Sequence, residues 1–204
     1  MNERSDDESE MSREKSSTYH RLITAAATCF SERGFNASSI SDIARQAKVS
    51  QGAMYTYFKG KSALISAIVE EEKNTALVNY SQAYHCSPFE RISQLVKSCI
   101  NEVGYPADHR LWVEIIAEAA RNDEVKATFV ATDLIMREGI KTIILDGMAK
   151  GDFAPQLDAE MATIAIYALI DGLISRKAIN PDFDLEKNLS TLDGILTFIL
   201  HVTE

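Results

Sequence analysis

Apolar residues recur at intervals of three and four from about Ser17 to the C-terminus, and no segment sustains the apolar–polar alternation of a half-buried strand. That periodicity restricts the chain to an all-α fold, because a helix-period stripe cannot bury its apolar residues as a strand. At 204 residues and 46% apolar content, the chain can bury a sizeable core as one large domain or two small ones. It has no uninterrupted apolar run of the roughly 20 residues needed to cross a bilayer, and its polar, acidic N-terminus does not read as a signal peptide. A cytoplasmic protein with no membrane partner is expected. Cys29, Cys86 and Cys99 are odd in number and lack C-x-x-C spacing. They predict reduced thiols, with neither a disulfide framework nor a metal site.

The net charge of −9 argues at first against a nucleic-acid partner. Its distribution argues the reverse. Residues 1–12 carry −4, residues 13–62 carry +5 and residues 63–204 carry −10. A basic module of about 50 residues on an acidic body would approach DNA with one end only.

Residues 1–15 are Ser, Asp, Glu and Arg-rich with no periodic apolar positions, and are expected to be a disordered acidic arm. The spacing of Leu22, Ala25, Ala26, Cys29 and Phe30 predicts a helix over 17–33, stopped by Gly34 in the left-handed region, with Phe35 folding back on its end. Ser39 and Asp42 form a capping-box pattern that opens a short second helix, with Ile43, Ala44 and Ala47 inward. After the turn at Lys48-Val49, Ser50 caps a third helix over 51–57. Two short helices joined by a tight turn make a helix-turn-helix, here within a domain spanning 16–62. Further helices are expected from Lys61 to near Gln82, from Pro88, over 108–121, over 123–150 between Asn122 and Gly151, and over 158–178 and 185–202. About nine helices with short connections pack as a bundle, and residues 63–204 are expected to form its larger, regulatory part.

Residues 21–65, RLITAAATCFSERGFNASSISDIARQAKVSQGAMYTYFKGKSALI, closely resemble the DNA-binding domain of the TetR family of bacterial transcriptional regulators. The resemblance rests on Phe30, Gly34-Phe35, Ser39-Ile40, Asp42-Ile43-Ala44, Val49-Ser50, Gly52, Tyr55, Tyr57-Phe58 and Lys61 at family spacing. It implies a repressor that binds a palindromic double-stranded DNA operator as a homodimer and is released by a small-molecule effector. The third helix would enter the major groove. There Gln51 can pair bidentately with adenine, Ala53 and Thr56 can offer methyl groups to thymine, and Gly52 lets the backbone approach. Tyr55, Tyr57 and Lys61 are expected at phosphates, with packing the lesser alternative for each tyrosine and a solvated surface position the lesser one for Lys61. Ser39 and Ser50 cap helices and can also meet phosphate. Lys48 stands where the family usually has glycine, and its charge can face DNA.

The regulatory part resembles that of one broad subgroup of the family, through the segments Leu111–Asp123 and Ala168–Leu173. Cys99, Trp112, Ile116, Phe129, Met136, Ile140 and Tyr167 offer apolar and aromatic area for an effector, and Tyr105, His109, Glu114, Glu118 and Asp171 offer polar handles. An inward Glu114 or Glu118 would favour a cationic effector, since a buried carboxylate needs a partner. In the family the last two helices pair across the dimer. That role falls here on Met161, Ala165, Ala168 and Gly172 of one helix and Leu192, Ile195, Leu196 and Ile199 of the other. The same stripes also fit an intramolecular core. No catalytic motif (phosphate loop, H-E-x-x-H or G-x-S-x-G) is present and no cofactor is expected. A constitutive DNA-binding protein without an effector, or an activator, fits the same residues.

Overall fold

The computed structural model describes residues 3–81, 86–101, 109–180, 182–184, 187 and 189–202. Among the described residues nine helices follow one another: α1 (Glu3–Arg33), α2 (Ile40–Gln46), α3 (Gln51–Tyr57), α4 (Lys61–Ser81), α5 (Pro88–Asn101), α6 (His109–Ala119), α7 (Asp123–Lys150), α8 (Ala159–Ile179) and α9 (Leu189–Leu200). Among the described residues there is no strand, only one isolated antiparallel bridge between Phe153 and Val202. No described helix is long and apolar enough to cross a membrane.

The expected caps are present. Gly34, at φ +83°, ends α1 and donates its N–H to the Phe30 carbonyl at 2.9 Å. The Phe35 ring then lies 5.2 Å from that of Phe30. Ser39 Oγ accepts from Asp42 N at 3.1 Å, and the Asp42 carboxylate accepts from Ser39 N at 3.3 Å. Asn122 opens α7, and Gly151, also at φ +83°, closes it. α1 departs from expectation, because helix begins at Glu3 and includes most of the segment expected to be a disordered arm. Once a packed helix exists, extending it requires only propagation, and residues 3–16 contain no Gly, Pro or β-branched residue to stop it.

Burial organises the chain into two apolar clusters. The first joins Leu22, Phe30, Ile43, Met54 and Phe58 of the N-terminal helices to Leu64, Ile65 and Ile68 of α4, Leu111 and Ile115 of α6, and Val125 of α7. The second holds Ile92, Val96 and Ile100 of α5, Ile140 and Ile144 of α7, Ile166 and Ile170 of α8, and Leu192, Leu196 and Leu200 of α9. Packing therefore does not divide at residue 62 as the expected domain boundary would have it. α4 and α6 belong to the core of the helix-turn-helix, which ties it mechanically to the rest of the bundle. Asp193 clamps α9 to α5 through Ser93 Oγ at 2.6 Å and Lys97 Nζ at 2.8 Å.

Candidate nucleic-acid interface and regulatory cavity

α3 is short, and Ser50 makes it possible: its Oγ accepts from Ala53 N at 3.1 Å. One face of α3 is anchored by the buried Met54, and the helix ends against the buried Phe58. The opposite face leaves Gln51, Gly52, Tyr55 and Thr56 exposed, with Ala53 half-buried beside them. Thr56 donates its hydroxyl to the Gly52 carbonyl at 3.1 Å, so its methyl is the group left to offer a base. Tyr55 is 55% exposed and contributes nothing to the core. Tyr57 instead packs against the first cluster, which makes packing its observed role. Lys48 takes φ +57°, the left-handed conformation expected at the turn, and its side chain is exposed next to Ser50. Lys61 differs from expectation. Its ammonium donates to the Phe35 carbonyl at 2.6 Å and the Asn36 carbonyl at 3.3 Å, and sits 4.6 Å from the Phe35 ring centre, so it braces the α1–α2 loop. Ser39 is half-buried in its capping role. Beside α3, a concavity of about 700 Å³ between α1 and the α2–α3 turn is lined by Ser17, His20, Arg21, Gln46 and Lys48. Its α1 members lie on the outer face, which apolar periodicity leaves unassigned.

A second recess opens between α4, α6, α7 and α8. Two adjoining cavities, of about 120 Å³ and 90 Å³, share Glu72, Trp112, Met136, Tyr167 and Asp171. The first adds Val69, Phe129, Thr132 and Asp133, and the second adds Cys99, Ser98 and Ile174 among others. Trp112 Nε1 donates to Asp171 Oδ1 at 3.0 Å, and its ring lies 5.8 Å from that of Phe129. Burial pushes the Asp171 carboxyl above the ordinary aspartate range, the Trp112 hydrogen bond opposes that, and the negative Asp133 adds to it.

Residues 22–68 match the family described as bacterial regulatory proteins, tetR family, and residues 88–201 match the BetI-type transcriptional repressor, C-terminal family. The chain belongs to the TetR family. It is 28% identical over 166 residues to the HTH-type transcriptional regulator UidR of Escherichia coli, covering 81% of this chain and 84% of that one. It is 29% identical over 190 residues to TtgR of Pseudomonas putida, with coverage of 87% and 90%. The solved structure of Salmonella enterica GusR superposes with a TM-score of 0.78 at 27% identity, over 90% of this chain and 95% of that one. These relatives are transcriptional regulators and not enzymes, and so is this TetR-family chain.

Within that family frame, the expected effector residues divide. Cys99, Trp112, Phe129, Met136, Tyr167 and Asp171 line the cavities. Ile140 does not, being fully buried in the second cluster, and Ile116 lines neither cavity. His109 Nε2 bonds the Ile100 carbonyl at 2.7 Å and joins α5 to α6. Tyr105 lies outside the described residues. Glu114 is not a cavity group: its Oε2 accepts the Phe35 N–H at 2.9 Å, at the end of α1. Glu118 is buried, but Arg121 Nε at 2.8 Å and Asn122 Nδ2 at 2.9 Å satisfy it, and the same Nδ2 reaches Ser62 Oγ at 3.0 Å. The carboxylates expected to hold a cationic effector thus hold the DNA-binding unit to α6 instead. Sequence reasoning missed Glu72, Thr132 and Asp133. The available signal was that each interrupts an inward stripe, Glu72 after Ile65, Ile68 and Val69, the other two between Phe129 and Met136.

Lys48 carries the first prediction. Left-handed backbone costs a non-glycine residue about 1 kcal/mol, so Lys48→Gly should raise the melting temperature by about 2 °C. The same change should weaken DNA binding several-fold by removing a cation. Calorimetry and DNA binding at fixed salt check the two opposed effects.

Proposed function

We propose that this TetR-family regulator acts as a homodimer that represses from a palindromic operator in the cytoplasm, and that a small molecule in the α4–α8 recess releases it. The observation that carries this reading is the double attachment of α6. Trp112 of α6 lines the recess, and two residues on, toward another face of the same helix, Glu114 holds the Phe35 N–H of the helix-turn-helix. α4 makes a parallel link, with Lys61 and Ser62 at the DNA-binding unit and Val69 and Glu72 at the recess. A ligand that favours a different packing around Trp112 therefore biases the spacing of two recognition helices.

Dimerisation is supported by an apolar face that the monomer leaves uncovered. On α8 it comprises Met161, Ile164, Ala168 and Gly172, with Ala165 half-buried at its edge; on α9 it comprises Ile195 and Phe198, with Ile199 half-buried. Leu192 and Leu196, expected at the interface, are buried in the monomer core, so the α9 contribution shifts to the face bearing Phe198. A two-fold dimer requires a two-fold operator.

Glu114→Ala should loosen the α1–α6 link by leaving a half-buried N–H unpaired. A stability loss of about 1–2 kcal/mol is expected, with operator affinity less responsive to ligand while ligand affinity at the recess is retained. Parallel ligand and operator titrations check this. Footprinting the full-length protein on the DNA flanking its own gene tests the function itself. Protection of a two-fold symmetric site is expected, and coverage without symmetry or sequence preference would overturn the reading.

A further inference from the structure

Three carboxylates, Glu72, Asp133 and Asp171, line the larger cavity of the α4–α8 recess, and no described residue lining either cavity is Lys or Arg. Asp133 shares its charge with Arg137, whose Nε donates to Oδ2 at 2.8 Å. Asp171 receives only the Trp112 N–H on Oδ1, and its Oδ2 has no hydrogen-bond partner among the described residues. A second observation is independent of charge. Thr132, only 4% exposed, lines the same cavity, and its Oγ1 has no hydrogen-bond partner. A buried hydroxyl left so offers a polar guest a hydrogen-bond partner. The remaining walls are Trp112, Phe129, Tyr167 and Met136, which suit an apolar body and can face a cation with their rings.

We infer that the recess takes a compact protonated amine, a cation bearing N–H donors on an apolar or aromatic body. The inference rests on the proposed effector role of the recess and names its ligand class. An ammonium offers three donors and no acceptor, which suits a cavity where Asp171 Oδ2 and Thr132 Oγ1 both stand ready to accept. Its charge also relieves the repulsion between Asp133 and Asp171, which nothing neutral or anionic would do. A carboxylate or phosphate guest would add a like charge beside Asp133 and Asp171, with no Lys or Arg among the described lining residues.

The test uses the full chain and the emission of Trp112, its sole tryptophan. Two probe sets are titrated: 2-phenylethylammonium with 2-phenylethanol, 3-phenylpropanoate and the N-trimethylated amine, and butylammonium with 1-butanol and pentanoate. In at least one set the primary ammonium should bind at least tenfold more tightly than its alcohol and carboxylate. The trimethylated amine, which has no N–H to donate, should bind more weakly than its parent. Asp171→Asn keeps the Trp112 acceptor but removes the charge, and Glu72→Gln replaces a second lining carboxylate with a neutral group of the same size. Either should lower ammonium affinity about tenfold while leaving alcohol affinity within twofold. The inference is overturned if alcohols or carboxylates match the ammonium in both sets, if no probe perturbs Trp112, or if the preference survives both substitutions. Operator release measured in parallel separates the two claims. An ammonium that binds the recess without loosening the operator upholds the ligand class and defeats the effector reading. Release by an alcohol or carboxylate in place of the ammonium does the opposite.

Discussion

Phe198→Glu should leave the protein monomeric at micromolar concentration and lower operator affinity by about 100-fold or more, the scale on which joining two half-site contacts raises affinity. Phe198 is 80% exposed on α9, beside Ile195 at 41%, and Met161 of α8 is 58% exposed. An exposed apolar face of this kind marks an interaction surface, and a charge placed at its centre must be desolvated for the dimer to form. The monomer should tolerate the change, because α9 packs inward through Leu192, Leu196 and Leu200 on its other face. Sedimentation and DNA-binding titration read the two consequences. A variant that remains dimeric would mean that the subunits meet elsewhere.

Gly147→Ala should destabilise the regulatory part by about 3 kcal/mol, toward the upper end for overpacking a close-packed core. A methyl at Gly147 would stand 2.3 Å and 2.4 Å from two ring carbons of Phe153. Phe153 is fully buried, and its backbone pairs with Val202, so the ring has little room to retreat. At about 2–4 °C per kcal/mol for a chain of this size, the melting temperature should fall by roughly 6–12 °C. Gly172→Ala is the control. A methyl there meets nothing within 4 Å, and alanine favours helix by about 1 kcal/mol, so the isolated subunit should become slightly more stable. Equal melting of the two variants would contradict the packing described around Phe153.

Local signals were the most legible part of the chain. Ser39 with Asp42, Ser50, Gly34, Asn122 and Gly151 each act within a few residues of themselves, and each terminates the helix its chemistry predicts. Lys48 belongs with them, since a tight turn demands left-handed backbone whichever residue supplies it. The N-terminal segment was less legible, because composition speaks to the entropy of an isolated stretch and not to one extending a packed helix. Glu114 and Glu118 show why sites are harder. Their inward position is visible in the periodicity of α6, but Glu114 meets the Phe35 N–H from far earlier in the chain, and Glu118 is satisfied by Arg121 and by Asn122, which itself reaches back to Ser62. α9 is apolar on nearly every face, so spacing alone gives no means of separating Leu196, which is core, from Phe198, which is surface. The recess is built from stripe-breaking polar residues of α4 and α7, which only assembly brings to face Trp112 and Asp171.

In the proposed function the exposed face of α3 reads DNA sequence. Its most direct test compares the affinity of full-length protein and the Gln51→Ala/Tyr55→Ala variant for the footprinted operator and for unrelated DNA, at one fixed salt concentration. Operator affinity should fall by about 30-fold or more, from lost base and phosphate contacts in two half-sites, while affinity for unrelated DNA changes only a few-fold. Equal losses on both DNAs, or no loss on either, would contradict it.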